Sequence, residues 1–401
     1  MSREKTIRAM LVGGPMYDGL YARIPEFEGR TGFRVEVVAR LPHPELNARV
    51  ERDFDASSAD LDLLSTHTKY APSQAQWLAP LDDVIEPAAL ADLLPRPLEL
   101  SRIDGQLLQF PRNLDCGLLY YRRDLFERAR RGIPETWDEL VEAATFFAGP
   151  GMHGFLFPGR DSGLFGLFYQ VLVSAGGSLF DEDLRPAFDS PAGCYAANLL
   201  AELHHRRRTT PEDLPRWHFD EVSAAFRRGE AAMVAAWPGS DSLYADPGTS
   251  ALADRTGLAR LPGGASGRRA AYAGCHSFAV PKAARNREGA LALLHFFTSL
   301  ESQVDEAGRG SLPVRHSAFE AMREEAKADP RQAQRLQLLT QTSEDLIIPP
   351  RFATYPACED AIWHGLQKAM TGLLSPPDAV HEAAGAVADV LSRSAQPLEV
   401  R

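Results

Sequence analysis

The opening of the chain alternates strand and helix patterns, and this alternation constrains the fold more than any other feature. Thr6–Val12 is a short apolar run that stops at the turn signal Gly13-Gly14-Pro15. An amphipathic stretch from Tyr17 to Glu28 follows, with Leu20, Ile24 and Phe27 on one face. Phe33–Leu41 reads as a strand carrying Val35, Val37 and Val38, and Pro44–Phe54 as a helix. Leu61-Asp62-Leu63-Leu64 is a further buried strand, ending at Ser65-Thr66-His67-Thr68. A β-α-β-α-β order of this kind predicts an α/β fold built on a mostly parallel sheet flanked by helices.

Later elements carry start signals. Thr136-Trp137-Asp138-Glu139 is a capping box, in which the hydroxyl serves one orphan N–H and the carboxylate another. Ser190-Pro191 joins an N-cap to proline at the first helical position. Asn286 precedes Arg287–Leu300, where Leu291, Leu294 and Phe297 form an apolar stripe. Strands are expected at Gly154–Phe157, Ala231–Ala236, Thr256–Leu261 and Ser277–Val280, and helices at Glu359–Leu374 and Asp378–Arg393.

With 401 residues the chain is too long for one ordinary core, so two lobes are expected. A net charge of -11 argues against nucleic acid as a partner, because phosphate binding needs a concentrated basic face. The tight cluster Arg206-Arg207-Arg208 is expected at the solvated end of a helix, where cations suit the dipole. No run approaches eighteen apolar residues, so no membrane-spanning segment is expected. Met1-Ser2-Arg3-Glu4-Lys5 shows no secretory signal pattern. Cys116, Cys194, Cys275 and Cys358 lie far apart, and buried free thiols or long-range disulfides are both open to them.

Familiar catalytic and cofactor motifs are missing: no P-loop, no G-x-S-x-G elbow and no H-E-x-x-H occur. His204 and His205 are adjacent and face different sides of a helix. Asp181-Glu182-Asp183 begins like a calcium loop but lacks the downstream glycine and glutamate, and reads as a solvated turn. No cofactor, metal or catalytic residue is expected.

One series of motifs runs along nearly the whole chain. Trp77-Leu78-Ala79-Pro80-Leu81-Asp82-Asp83 is followed by Ile103-Asp104-Gly105-Gln106, Phe110-Pro111 and Leu118–Phe126, then by Ile133-Pro134-Glu135-Thr136-Trp137-Asp138-Glu139-Leu140. Phe226–Met233, Trp237-Pro238-Gly239-Ser240, Gly274–Val280, Asn286–Ala290, Phe296–Ser299 and Leu312-Pro313-Val314-Arg315 continue it. In this order the motifs resemble the extracellular solute-binding proteins of ABC transporters, sugar-binding family, the maltose-binding-protein-like group. Tyr121-Arg122-Arg123 departs from the family's tyrosine-asparagine pair.

The resemblance implies a two-lobed clamp with ligand in the interlobe cleft. Lobe 1 is expected at 1–112 plus 279–325 and lobe 2 at 116–275 plus 335–401, with hinge crossings near 112–116, 275–279 and 325–335. It further implies carbohydrate capture by hinge closure, delivery to ABC permease subunits, a monomer without nucleic-acid partners, and a periplasmic or extracellular location, lipid-anchored or secreted.

Ligands of open α/β sheets meet the loops beyond the carboxyl ends of strands. This rule selects Met16 and Tyr17, then His67 and Lys69, then Asn113 and Asp115 on the interlobe segment. Arg160 and Asp161, Trp237, His276, and Arg351 with Tyr355 complete the candidates. The resemblance places at Trp237 an aromatic that stacks on a sugar ring. Arg351 and Lys69 leave open an anionic sugar. Alternatives are a polyamine or other non-sugar solute, an intracellular sensor on the same clamp, and a two-lobed enzyme such as a glycoside hydrolase, which would need paired carboxylates, Asp115 and Asp161 being the pair to test.

Overall fold

The computed structural model describes residues 5–394, so the reading of Met1–Glu4 lies outside the described residues. The chain divides into two compact units. The first is Met1–Asp115, Gly274–Leu336 and Pro350–Ala353; the second is Cys116–Ala273, Gln337–Pro349 and Thr354–Arg401. The short return at Pro350–Ala353 falls inside the span that the sequence assigns wholly to lobe 2. A guanidinium holds it in the first unit: Arg351 Nη2 donates to the carbonyl of Arg102 at 3.0 Å.

In the first unit Thr6–Val12 is the middle strand, parallel to Arg34–Leu41 on one side and to Leu63–His67 on the other. Ile7 and Ala9–Val12 are all buried, which is why this strand reads as a continuous apolar run rather than an alternation. Arg34–Leu41 is the edge, and its Arg34, Glu36 and Arg40 protect the open ladder with charge. Residues 276–279 of the long strand Ala271–Ala279 pair antiparallel with Leu63–His67, and Phe110–Cys116 pairs with the same long strand. That strand starts well before the expected Ser277. Its first half, Ala271-Tyr272-Ala273-Gly274, is mostly small residues whose strand preference is weak, and its pairing decides the matter.

Two helices are shorter than their patterns suggest. The stretch expected as one helix from Tyr17 to Glu28 is a 3-10 turn Pro15–Tyr17, a short helix Asp18–Tyr21 and a separate helix Ile24–Thr31. Pro25 has no N–H to continue the ladder, so the chain breaks before it. Arg287–Phe297 ends three residues early because Ser299 caps a new helix, Leu300–Gly308, by accepting from Ser302 N at 3.2 Å.

The second unit holds a sheet in the order Thr256–Arg260, Leu118–Arg122, Ala231–Ala236, His153–Leu156; only the last pair is parallel. Helix Asp161–Ser174 is buried almost throughout and packs on Pro191–Ala201 and Tyr355–Met370, with Pro376–Ser394 against the latter two. Tyr355–Met370 begins four residues before the expected Glu359, with Pro356 in its first turn. The Thr136 capping box forms as read, and Trp137 behind it is fully buried with Nε1 on Ser174 Oγ at 2.8 Å. All four cysteines are free thiols; Cys194 alone is only half-buried. Arg206 and Arg207 fold back onto Glu202 at a helix end, and Asp181 Oδ1 caps its own turn by accepting from Asp183 N and Arg185 N. No helix among the described residues is long and apolar enough to cross a membrane.

Candidate functional site

Each unit carries a distinct patch of candidate side chains. In the first unit the fold brings Tyr17, His67, Asn113, Asp115 and His276 together, although Asn113, Asp115 and His276 lie inside the strands Phe110–Cys116 and Ala271–Ala279 rather than in loops beyond them. His276 Nε2 lies 2.8 Å from Asp115 Oδ2 and 3.3 Å from Tyr17 Oη, while Asn113 Nδ2 donates to Asp115 Oδ1 at 3.0 Å. Asn113, Asp115 and His276 are each less than a tenth exposed. Two further rings complete the cluster. His43 stacks on His276 at 4.8 Å between centroids, and Tyr70 lies 6.1 Å from His43.

Three features hold this patch in shape. Gly274 faces the His67 ring, and a Cβ there would collide with it, so the glycine is what lets the ring lie against the strand. Beneath Tyr17 lies the Arg112 guanidinium, 4.9 Å from the ring, paired with Glu306; both ionic groups are almost wholly buried. Opposite charge and hydrogen bonding outweigh the burial that disfavours the cation, so Arg112 stays firmly protonated. His67 goes the other way. Burial first, then His276, His43 and Lys69, push its pKa well below the ordinary imidazole value, and it is neutral at pH 7. Its Nδ1 accepts from Lys69 N at 3.3 Å, and the Lys69 ammonium sits 4.8 Å over the Tyr70 ring.

The second unit offers an aromatic hollow. Trp237 forms its wall with Phe219 at 5.1 Å and Tyr272 at 6.0 Å between centroids. Trp237 follows the fully buried strand Ala231–Ala236, and its carbonyl accepts from Tyr120 Oη at 3.2 Å, which fixes where the ring leaves the sheet. Gly117, Gly163 and Gly166 line the floor. A Cβ on Gly166 would enter the Tyr272 ring. Gln170 Oε1 accepts from Tyr272 N at 3.0 Å and so orients the amide at the base of the hollow. Beside it, Asp161 opens its helix at a left-handed φ of 55°, strained for a non-glycine residue, with Arg160 Nε at 3.5 Å and His218 Nε2 at 3.9 Å from Oδ2. Burial lowers the His218 pKa, with Asp161 opposing it.

The remaining candidates lie elsewhere. Tyr355 is fully buried in the helical layer, with its hydroxyl on Glu359 at 2.8 Å and its ring edge-on to Phe165. Arg351 spends its guanidinium on the Arg102 carbonyl, as above. Met16 is half-buried beside Tyr17. Asp115 and Asp161, the carboxylate pair a hydrolase would need, belong to different units. Sequence reasoning missed His43, Tyr70, Arg112, Phe219 and Tyr272. The first two open or precede helices, and Phe219 follows a loop, so a strand-end rule passes over them. Among the described residues no group of three or more His, Cys, Asp or Glu is placed to hold a metal ion.

A family model for bacterial extracellular solute-binding proteins matches residues 22–334. The chain belongs to that family. A probable amino-acid ABC transporter periplasmic-binding protein of Sinorhizobium fredii is 25% identical over 324 residues, 78% of this chain and 73% of that protein. The mannitol-binding protein of Pseudomonas aeruginosa is 27% identical over 265 residues, 63% of this chain and 60% of its own length. Among solved structures, maltose-bound MalE3 of T. maritima is 28% identical with a TM-score of 0.89, covering 96% of this chain and 99% of its own. The family member described here therefore shares the two-lobed fold of periplasmic binding proteins, and its kin are transporter binding proteins rather than enzymes.

Proposed function

We propose that this family member is the substrate-binding component of an ABC importer, and that it captures a neutral carbohydrate or polyol outside the cytoplasmic membrane for delivery to a permease. The observation that carries the reading is the Trp237, Phe219 and Tyr272 hollow. Sugar rings pair apolar C–H faces with a rim of hydroxyls, and a flat aromatic wall over an apolar floor suits such a face. In the first unit, Asp115 is a carboxylate of the kind that accepts hydroxyl hydrogens. The names of the mannitol-binding and maltose-bound relatives support the same class.

The amino-acid name of the Sinorhizobium relative points to a second class. An amino acid brings a carboxylate that calls for a committed cation. Here Arg351 is held by a backbone carbonyl, Arg160 lies beside Asp161, and Lys69 covers Tyr70, so the neutral ligand fits better. The same occupation of cations disfavours a sugar acid. Ligand-linked closure of the periplasmic-binding-protein kind would then signal the permease.

The test is a thermal-shift screen against polyols, mono- and oligosaccharides, sugar acids, polyamines and amino acids. A ligand at one hundred times its Kd adds about 2.7 kcal/mol of stability. The expected result is a raised melting temperature with one neutral carbohydrate class, lost in Trp237→Ala. A response to amino acids or polyamines alone would overturn the carbohydrate reading, and consumption of a compound would overturn the binding-protein reading.

A further inference from the structure

We infer that His43 is a positioning residue for the carboxylate of Asp115. The inference rests on the reading above in one respect, that Asp115 accepts hydroxyl hydrogens from the ligand. Asp115 Oδ1 takes the Asn113 amide at 3.0 Å, and Oδ2 lies 2.8 Å from His276 Nε2. A carboxylate only accepts, so Nε2 of His276 carries the proton. In the neutral ring Nδ1 is then an acceptor. The atom 2.9 Å from it is His43 Nε2, to which we assign the donor role. Hydrogen bonds therefore run in one direction, from His43 to His276 to Asp115. His276 has both ring nitrogens engaged inside the protein and reaches the ligand only through Asp115.

His43 is itself held from behind. It is the first residue of the helix His43–Asp55, and its carbonyl accepts from Asn47 Nδ2 at 2.6 Å. Asn47 Oδ1 accepts from Gln74 Nε2 at 2.8 Å, and Gln74 Oε1 from Thr66 Oγ1 at 2.7 Å. Thr66 lies on the strand that ends at His67, so the chain of buried amides ties the helix start to the strand end. Tyr17, His67, Lys69 and Tyr70 surround the two imidazoles, with Arg112 behind Tyr17 and paired to Glu306. Without the His43 donor, the Asp115 carboxylate alone holds the His276 tautomer, and Nδ1 loses the partner that opposes its protonation. The form protonated at Nδ1 would turn a lone pair toward Asp115 and expel the carboxylate from its place.

The experiment combines ¹⁵N NMR of the imidazoles at pH 8 with titration calorimetry, using maltose or D-mannitol, whichever raises the melting temperature more. In the wild type His276 should be protonated at Nε2. His43→Leu should populate the Nδ1-protonated form and weaken binding about tenfold, as loss of one buried polar partner does. His43→Gln, whose amide keeps a donor, should hold the wild-type tautomer and bind within about threefold of the wild type. An unchanged His276 spectrum in His43→Leu, or wild-type affinity in that variant, overturns the inference. If neither probe binds the wild type, the spectra alone decide the inference: Nδ1 protonation in the wild type, or an unchanged His276 spectrum in His43→Leu, overturns it.

Discussion

The two candidate patches are built on opposite principles. In the first unit, Tyr17, His43, His276, Asn113 and Asp115 are tied by hydrogen bonds of 2.8–3.3 Å over a buried Arg112–Glu306 pair. In the second, Trp237, Phe219 and Tyr272 meet as tilted rings over glycines, with Gln170 as a polar anchor. A polar network tolerates little change, since each member left without its partner bears a desolvation cost. An aromatic wall can tilt and refill. The first patch should therefore fail abruptly when one group is removed, and the second should degrade by degrees.

The sharpest break is Arg112→Met. Glu306 would be left as a buried carboxylate without its cation, and removal of one partner from such a pair costs about 3–5 kcal/mol. Urea unfolding should show that loss, and the double variant Arg112→Met with Glu306→Leu should recover a large part of it. Equal stability of single and double variants would mean that the pair does not act as a unit.

A matched pair of glycine substitutions sharpens the comparison. Gly274→Ala drives a methyl into the His67 ring and should cost about 2–3 kcal/mol, at the upper end for overpacking. Gly166→Ala drives one into the Tyr272 ring, which can tilt toward the hollow, and should cost nearer 1 kcal/mol. Melting curves of both variants check the order; a larger loss for Gly166→Ala would contradict it.

The smallest effect is the pH dependence of His67. Its folded pKa lies below the unfolded value, so below pH 6.5 the unfolded chain binds more protons. The stability His67 contributes is complete above pH 6.5 and is lost as the pH falls toward its folded pKa. Between pH 7.5 and 5.5 the loss from this residue should be about 1 kcal/mol, absent in His67→Gln. Urea midpoints at the two pH values test it.

Much of the architecture was legible in sequence because local signals and burial agree there. Thr6–Val12 and Ala231–Ala236 stand where their apolar runs put them, and Thr136 and Ser190 cap as their side chains dictate. Legibility failed where a proline broke a pattern, as at Pro25, or where pairing overrode weak propensity, as at Ala271–Gly274. The candidate patches were legible only in part. Trp237 follows a strand end, whereas Asp115 and His276 stand inside the strands Phe110–Cys116 and Ala271–Ala279, and His43, Phe219 and Tyr272 join the patches through tertiary packing between residues far apart in the chain. Tyr355 and Arg351 carry the right chemistry at the right distance along the chain, yet Tyr355 turns into a helical core and Arg351 is held by backbone.

The most direct test of carbohydrate capture is titration calorimetry of the unmodified protein with maltose, D-mannitol and a set of amino acids. The account predicts saturable binding of a neutral carbohydrate with a negative heat-capacity change, as burial of sugar C–H faces on the aromatic wall requires, and no heat from amino acids. Binding of an amino acid with silence from every carbohydrate would contradict it.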